Sequence, residues 1–235
     1  MAKSETSFDY LFHVKELCRD ICRRLPVFRH IDVDRVGFEV SKARNRDSFY
    51  GRWASVTPLR FEGGVRAALF RQKKIVRVGH TKNVVDETSQ YYKAPEVVGL
   101  DGTELLYLFT IMTPRFYNLS VKDKVETVIH ELLHIGPKFD GDYRHIPGRD
   151  KHHGNLKKYE EYCSQLAKEW LRLDPNPGLY NFLQWDYDAL LEKFDSIELV
   201  KYPSIKYIPI SKEEAIRLNP KLAQSGNNDN VQSPM

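Results

Sequence analysis

The sequence predicts an α+β fold in which a small sheet packs against an N-terminal helix and two later helices. Three segments, at residues 8–25, 120–135 and 155–173, carry apolar residues every three or four positions, as amphipathic helices do. After the first of them, short runs rich in β-branched and aromatic residues alternate with Gly, Pro, Asn and Asp, which is typical of strands. The 235 residues, 41% of them hydrophobic, are enough for one domain with a sizeable core.

The composition narrows the class of protein further. A net charge of +4 permits an anionic partner but does not require one, because affinity for nucleic acid depends on clustered charge. No apolar run approaches the roughly 20 residues that cross a bilayer, and the first ten residues lack the apolar core of a signal peptide. The three cysteines are too few for a disulfide framework. We therefore expect a cytoplasmic protein without a membrane segment.

The first helix, over residues 8–25, is expected to have Ser7 as its N-cap and to end before Pro26. Its inward face is formed by apolar residues and two cysteines: Leu11, Val14, Leu17, Cys18, Ile21, Cys22 and Leu25. Cys18 and Cys22 are four positions apart, but the neighbouring sequence offers them no partner for a metal site. We therefore expect both cysteines to pack in the core.

Strands are expected between residues 33 and 78, followed by a loop at residues 91–102. The next run, residues 104–112, is continuously apolar with β-branched and aromatic members, so a buried strand is expected there. After a break at residues 174–178, the pattern indicates two short helices and one extended segment.

The helix at residues 120–135 has the clearest boundaries in the chain. Ser120, with Asp123 three positions later, forms a start like a capping box, and Gly136 followed by proline ends the helix. Residues 130–134 have the sequence His-Glu-Leu-Leu-His, an HExxH motif. Histidines four positions apart project from one helix face about one turn apart, so both imidazoles can reach one metal ion.

His130, Glu131 and His134 have the residue types and the spacing of a catalytic zinc site. Zinc suits nitrogen-rich sites and lowers the pKa of a bound water to roughly 7. Glu131 lies at the edge of the same helix face, where it could take a proton from that water and deliver it to a leaving amine. The motif therefore predicts a zinc metallopeptidase that hydrolyses peptide bonds through a metal-bound water activated by Glu131.

A catalytic zinc usually has three protein ligands, so a third ligand is expected. A glycine three residues and a histidine six residues after the motif would complete one common pattern, but Pro137 and Asp140 occupy those positions. Several downstream residues remain as candidates for the third ligand: Asp140, His145, His152, His153, Glu160 and Glu161.

The run HELLHIGPKFDGDYRHIPGRDKHHG resembles a family of phage metallopeptidases related to SprT-like and Spartan-type zinc proteases. The resemblance covers roughly residues 120–170 and, more loosely, the preceding YGRWASVTPLRFEGG. It implies a zincin-like fold and a third zinc ligand that is a histidine well downstream of the motif, often followed by glycine. His153, which precedes Gly154, matches this placement. His145 lies too close and His152 lacks the glycine, but the adjacency of His152 keeps it as an alternative.

The loop after the motif helix contains three acids and two arginines within residues 139–150. Tyr143 or Arg144 could donate a hydrogen bond to the oxyanion of a tetrahedral intermediate, and the acids could orient the imidazoles. Equally, the loop residues could form ion pairs that only close the loop.

The stretch Lys42–Arg77 is rich in basic residues interleaved with aromatic residues. Such a pattern can bind single-stranded nucleic acid by stacking and phosphate contact, and Spartan-type proteases act on proteins attached to DNA. It is also typical of a sheet with one solvated face, which is the interpretation that we favour. DNA contact through this stretch is the alternative.

We therefore expect a zincin-like metallopeptidase domain over residues 1–175, a C-terminal extension over 176–220 and a disordered tail over 221–235. The strand near residues 104–112 is expected to lie close to the motif helix, where it could pair with an extended protein or peptide substrate. Two other functions remain open. One is a zinc-stabilised, nucleic-acid-associated binding module without turnover, and the other is an interaction protein without metal.

Overall fold

The structure, a computed structural model, describes residues 7–43, 52–78, 82–145 and 156–223. In these ranges the protein has the predicted α+β class, with five α-helices and with strands in three sheets. The helices are α1 (Tyr10–Arg24), α2 (Val121–Leu133), α3 (Leu156–Arg172), α4 (Tyr187–Lys193) and α5 (Lys212–Leu218). The strands are β1 (Ser7–Phe8), β2 (Val36–Lys42), β3 (Ala54–Pro58), β4 (Ala67–Val78), β5 (Lys82–Lys93), β6 (Tyr107–Thr113), β7 (Ser196–Ile197) and β8 (Ile208–Ile210). No helix in the described ranges combines the length and the apolar character that a membrane span requires.

The sheet that supports the motif helix has the strand order β2–β6–β3. Strand β2 pairs with β6 in parallel and β3 pairs with β6 antiparallel, with Val56 opposite Phe109. Strand β6 is the buried strand expected at residues 104–112, and Phe109 and Ile111 are fully buried in it. Because β6 has a neighbour on each side, the expectation that this strand offers an edge to a substrate is wrong. The edge strand that contacts α2 is β3.

Helix α1 begins later than expected, with Asp9 as its N-cap. The Asp9 carboxylate accepts a hydrogen bond from the Phe12 amide at 2.8 Å, whereas Ser7 lies in β1 and pairs with β7. Cys18 and Cys22 are free and buried, which confirms the packing role predicted for them.

A buried carboxylate connects α1 with α3. Asp20 is 3% exposed, and its carboxylate accepts hydrogen bonds from Arg24 Nε at 2.8 Å and Trp170 Nε1 at 3.0 Å. Burial by itself raises the pKa of the Asp20 carboxyl, but these hydrogen bonds lower it overall. A carboxylate paired in this way holds the two helices in one orientation, since moving either helix would leave a buried charge without a partner.

Helices α2 and α3 pack against each other beside the sheet. Helix α2 begins as predicted, because Ser120 Oγ accepts a hydrogen bond from the Asp123 amide at 3.1 Å. The inward stripe of α3 contains Cys163 and the fully buried Trp170. The apolar periodicity of residues 155–173 predicts that Tyr162 and Leu173 also face inward, but they are 42% and 44% exposed. Tyr162 lies at the margin of the stripe, and Leu173 follows the last residue of α3.

The segment expected to be a C-terminal extension contacts elements from the whole length of the chain. Its strand β7 pairs with β1, and the Val40 amide on β2 donates to Val200 O at 3.0 Å. Strand β8 pairs with the end of β5, at Tyr91–Lys93, which lengthens β5 into the loop expected at residues 91–102. The expected disordered tail does not include residues 221–223, which belong to the 3₁₀ turn Pro220–Ala223, and residues 224–235 lie outside the described ranges.

Lys124, on α2, attaches the same segment to the motif helix. Its side chain is buried, and Nζ donates to Leu183 O at 2.5 Å and to Trp185 O at 2.9 Å. Burial lowers the pKa of Lys124 to about 8, although the charge of Asp186 opposes this change. The α2 helix is therefore fixed against the turn that contains Leu183.

We expect Lys124→Met to lower the free energy of unfolding by about 1–3 kcal/mol, because one buried and one partly buried carbonyl group would lose their donor. Between the lowered pKa of about 8 and the ordinary value of 10.5, the unfolded chain holds a proton that the folded chain has released. The contribution of Lys124 to stability should therefore rise with pH across this interval.

Urea denaturation of both proteins at a series of pH values measures this difference. Lys122→Met is the matched control, because the Lys122 side chain is 69% exposed, and it should change stability by no more than about 0.5 kcal/mol. A Lys124→Met protein as stable as the wild type would contradict the prediction.

Candidate metal centre

The motif histidines lie one helical turn apart at the end of α2. His134 is the C-cap residue, but its φ of −70° and ψ of −21° are still helical, so its side chain keeps the register of the helix. The ring centroids of His130 and His134 are 5.0 Å apart. The ligand atoms of His130, Glu131 and His134 all lie within 4.8 Å of one another. Two imidazoles and a carboxylate in this arrangement could hold a metal ion.

Glu131 is buried, and the edge strand holds its carboxylate. Glu131 is 7% exposed, and its Oε2 accepts a hydrogen bond from the Val56 amide of β3 at 2.9 Å. Burial raises the pKa of Glu131 to about 7, while the bond from Val56 and the charge of Arg52 oppose this rise. The motif glutamate is therefore fixed between α2 and β3.

Tyr143 reaches the same residue of β3 from the loop that follows α2. Its backbone forms an antiparallel bridge with Ile135, and its hydroxyl donates to Val56 O at 3.1 Å. Its ring lies 6.2 Å from the His134 ring, and burial raises the pKa of Tyr143 to about 12. Glu131 and Tyr143 thus bind the amide and the carbonyl of Val56, respectively.

Arg144 supports the site through its backbone. Its amide donates to His134 O at 2.8 Å. Two of its guanidinium nitrogens, Nε and Nη2, are buried and have no hydrogen-bond partner among the described residues. Burial and the charge of Arg144 lower the pKa of His30, which indicates that the guanidinium lies near His30. Of the two predicted oxyanion donors, Tyr143 lines the cleft at the motif and Arg144 does not.

Asp142 organises the loop between α2 and Tyr143. It is 7% exposed, and its carboxylate accepts hydrogen bonds from the Tyr143 amide and the Gly63 amide, both at 2.7 Å. The same carboxylate is 2.8 Å from Nε2 of His145. The loop-closing role considered for these acids therefore applies to Asp142, and it attaches the loop to the turn after β3.

Among the described residues, no candidate for the third ligand groups with the motif at metal-ligand spacing. In the described ranges, His130, Glu131 and His134 are the one group with metal-ligand spacing, so His145, Asp140, Glu160 and Glu161 do not join it. His152 and His153 lie outside the described residues, just before α3 begins at Leu156. The assignment of His153 therefore stays a prediction.

Tyr159 of α3 contacts both motif histidines, whereas the apolar periodicity of residues 155–173 predicts only that it faces inward. Its ring centroid lies 5.0 Å from that of His130 and 6.0 Å from that of His134, and its hydroxyl is 3.4 Å from His130 O. Burial raises its pKa. The Tyr159 ring therefore limits the orientations of both imidazoles. Tyr159 follows His153, the expected third ligand, by a few positions. This closeness in sequence is the signal that could have predicted its contact with the motif histidines.

A cleft between α2 and β3 passes the motif on both sides. Two cavities, of about 190 Å³ and 380 Å³, share Arg52, Ala54, His130 and Glu131 in their walls. Ser55, Val56, His134 and Tyr143 complete the smaller cavity. Trp53, Asp123, Glu126, Thr127, Glu160 and Cys163 complete the larger cavity. A substrate bound at the motif would therefore have room on each side of it.

The basic and aromatic stretch Lys42–Arg77 is partly built into the interior. Arg60 is 4% exposed and pairs with Glu104, which also accepts a hydrogen bond from Arg66 at 2.6 Å. Phe61 and Phe70 are buried against each other, at a centroid distance of 5.5 Å. These residues do not form an exposed stacking surface, and DNA contact through the stretch stays a prediction.

The chain was compared with protein-family models, with curated proteins and with solved structures, and none of these comparisons gives a match. The resemblance to phage metallopeptidases therefore stays a prediction from the residues of the motif region. The function of the site is inferred from its own geometry.

Proposed function

We propose that the protein is a zinc-dependent metallopeptidase of zincin-like fold that hydrolyses peptide bonds in a protein or peptide substrate. The observation that carries the proposal is the arrangement of two histidines one turn apart beside a buried glutamate that is fixed to the edge strand. A cleft on both sides of this group supports a polymeric substrate over a small one.

The metal ligands are His130 and His134, with His153 as the proposed third. Their imidazole nitrogens are the donor type that zinc prefers, and the spacing of the first two suits a single ion. When bound there, zinc would polarise the scissile carbonyl and lower the pKa of a coordinated water.

Glu131 and Tyr143 are the residues proposed to act on the substrate. Glu131 takes a proton from the attacking water and passes it to the leaving amine, and the Val56 amide orients its carboxylate. The Tyr143 hydroxyl would exchange its bond to Val56 O for one to the oxyanion of the tetrahedral intermediate.

The edge of β3 supports an extended peptide as the substrate. Trp53 O accepts a hydrogen bond from the Met112 amide of β6, at 2.9 Å, so the polar backbone groups of the next residue, Ala54, point away from β6. Val56 has the same orientation, but Glu131 and Tyr143 occupy its amide and carbonyl. An extended peptide would therefore pair with β3 at Ala54, within the cleft.

We expect the purified protein to contain about one zinc ion per chain, because the site offers ligands for a single ion. His153→Ala should lower zinc content strongly, whereas His145→Ala, which removes a partner of Asp142 instead, should retain zinc. Metal analysis after dialysis measures both. Loss of zinc in the second variant but not in the first would reassign the third ligand, and a wild-type protein without zinc would refute the proposal.

Glu131→Gln should retain zinc but lower kcat by about 10²–10⁴, because the amide cannot accept the proton. Cleavage of a protein substrate by the zinc-loaded protein measures kcat, and the exposed Glu161→Gln on α3 is the control. Unchanged activity in Glu131→Gln would exclude Glu131 as the base. A wild-type protein that binds zinc but cleaves nothing would instead favour a binding module without turnover.

Tyr143→Phe should lower kcat by about 10²–10³ with little change in KM or zinc content, as removal of one oxyanion donor does. Thermal unfolding of the same variant distinguishes this catalytic role of Tyr143 from a structural role through its bond to Val56. A structural role would lower Tm and leave kcat unchanged. Tyr162→Phe, at a side chain that is 42% exposed, should change neither quantity.

A further inference from the structure

Several acidic residues line the larger of the two cavities. Helix α2 contributes Asp123, Glu126 and Thr127 to it, and α3 contributes Glu160 and Cys163 from the facing side. Three acidic residues, of which Glu160 is exposed, thus line a space of about 380 Å³ that His130 and Glu131 also line.

Two of these carboxylates are available to a ligand. The Asp123 carboxylate accepts a hydrogen bond from Ser120 Oγ at 2.7 Å and belongs to the helix cap. Glu126 has only a distant partner, Lys122 at 3.8 Å, whose side chain is 69% exposed. Burial and the charges of Glu126 and Glu160 raise the pKa of Cys163 to about 12, so both carboxylates lie near this neutral thiol in the cavity wall.

The hydroxyl of a buried residue in the same wall lacks a partner. Thr127 is 8% exposed and lines the cavity, and within the described residues its Oγ1 makes no hydrogen bond. Oγ1 is not among the fully buried polar atoms that lack a partner, so it is accessible from the cavity. A ligand with several hydrogen-bond donors could therefore bond to it there.

We propose that this cavity binds a cationic side chain, lysine or arginine, that lies beside the scissile bond of the peptide substrate. The inference rests on the proposed function. A lysine ammonium has three donors and no acceptor, which matches the carboxylates of Glu126 and Glu160 and the hydroxyl of Thr127. The apolar stem of the side chain would lie against Trp53 and Cys163.

The remaining features of the cavity agree with this occupant. Its volume falls in the range of about 300–1,000 Å³ that is usual for binding pockets. Arg52, the one basic residue in its wall, is exposed and lies at the side that is shared with the smaller cavity. The acidic residues do not form a second metal site, because in the described ranges metal-ligand spacing occurs at His130, Glu131 and His134 alone.

The test compares two peptides that differ only in having lysine or norleucine beside the cleaved bond. In the zinc-loaded wild type, kcat/KM should be at least about tenfold higher for the lysine peptide, and this preference should weaken as salt is raised. In the Glu131→Gln variant, fluorescence anisotropy should give a similar ratio of Kd values without turnover. Equal values for the two peptides in the binding measurement would overturn the proposal.

The double variant Glu126→Gln/Glu160→Gln should bring both ratios close to one, and the single variant Glu161→Gln, at an exposed residue outside the cavity, should leave them as in the wild type. An unchanged ratio in the double variant would refute the assignment of these carboxylates. If the double variant does not fold, the salt dependence in the wild type tests the same assignment, and a preference that salt does not weaken would refute it.

These measurements distinguish failure of the metallopeptidase function from failure of the cationic subsite. Selective binding of the lysine peptide without cleavage of either peptide would refute the metallopeptidase function and retain the cationic subsite. Cleavage of both peptides at equal rates, with equal affinities, would retain the function and refute the subsite.

Discussion

The hydrogen bond between the Val56 amide and the Glu131 carboxylate is the constraint on which the site depends. It joins the motif helix to the edge strand, and the bond from Tyr143 to Val56 O joins the following loop to the same residue. The motif helix and the loop that follows it are therefore both attached to one residue of β3. Both cavities lie beside this point of attachment, and Ala54 of β3 lines each of them.

Buried polar groups hold the remaining sides of the motif helix. Lys124 fixes α2 to two carbonyls of a later turn, and Asp142 fixes the loop after α2 to the turn after β3. Each of these side chains satisfies backbone groups that would otherwise be unpaired, so none can be removed without a cost. The side chains of a functional site keep their geometry better when the residues that support them are locked by packing and hydrogen bonds in this way.

Local signals were sufficient to predict α2, and non-local pairing explains what was missed. Ser120 caps the start of α2 through a bond within three residues, and the motif histidines fall on one face as predicted. The end of the helix differs from the expectation, because α2 ends at Leu133 with His134 as its C-cap, before Gly136. The role of β3 as the edge depends on the order of strands, which local sequence does not encode. The same holds for Tyr159, which meets the histidines through the packing of α3, and for Arg60, whose partner Glu104 is 44 positions away.

The attachment of α2 through Lys124 also has a consequence for the order of events during synthesis. The carbonyls that accept its hydrogen bonds belong to residues 59 and 61 positions further along the chain. Strand β1 lies near the start of the described chain, and its partner β7 is separated from it by an even longer stretch of sequence. While these later segments are still inside the ribosome, the motif helix lacks part of its packing. We therefore expect the nascent chain to gain a complete site only after residues 183–197 have left the ribosome.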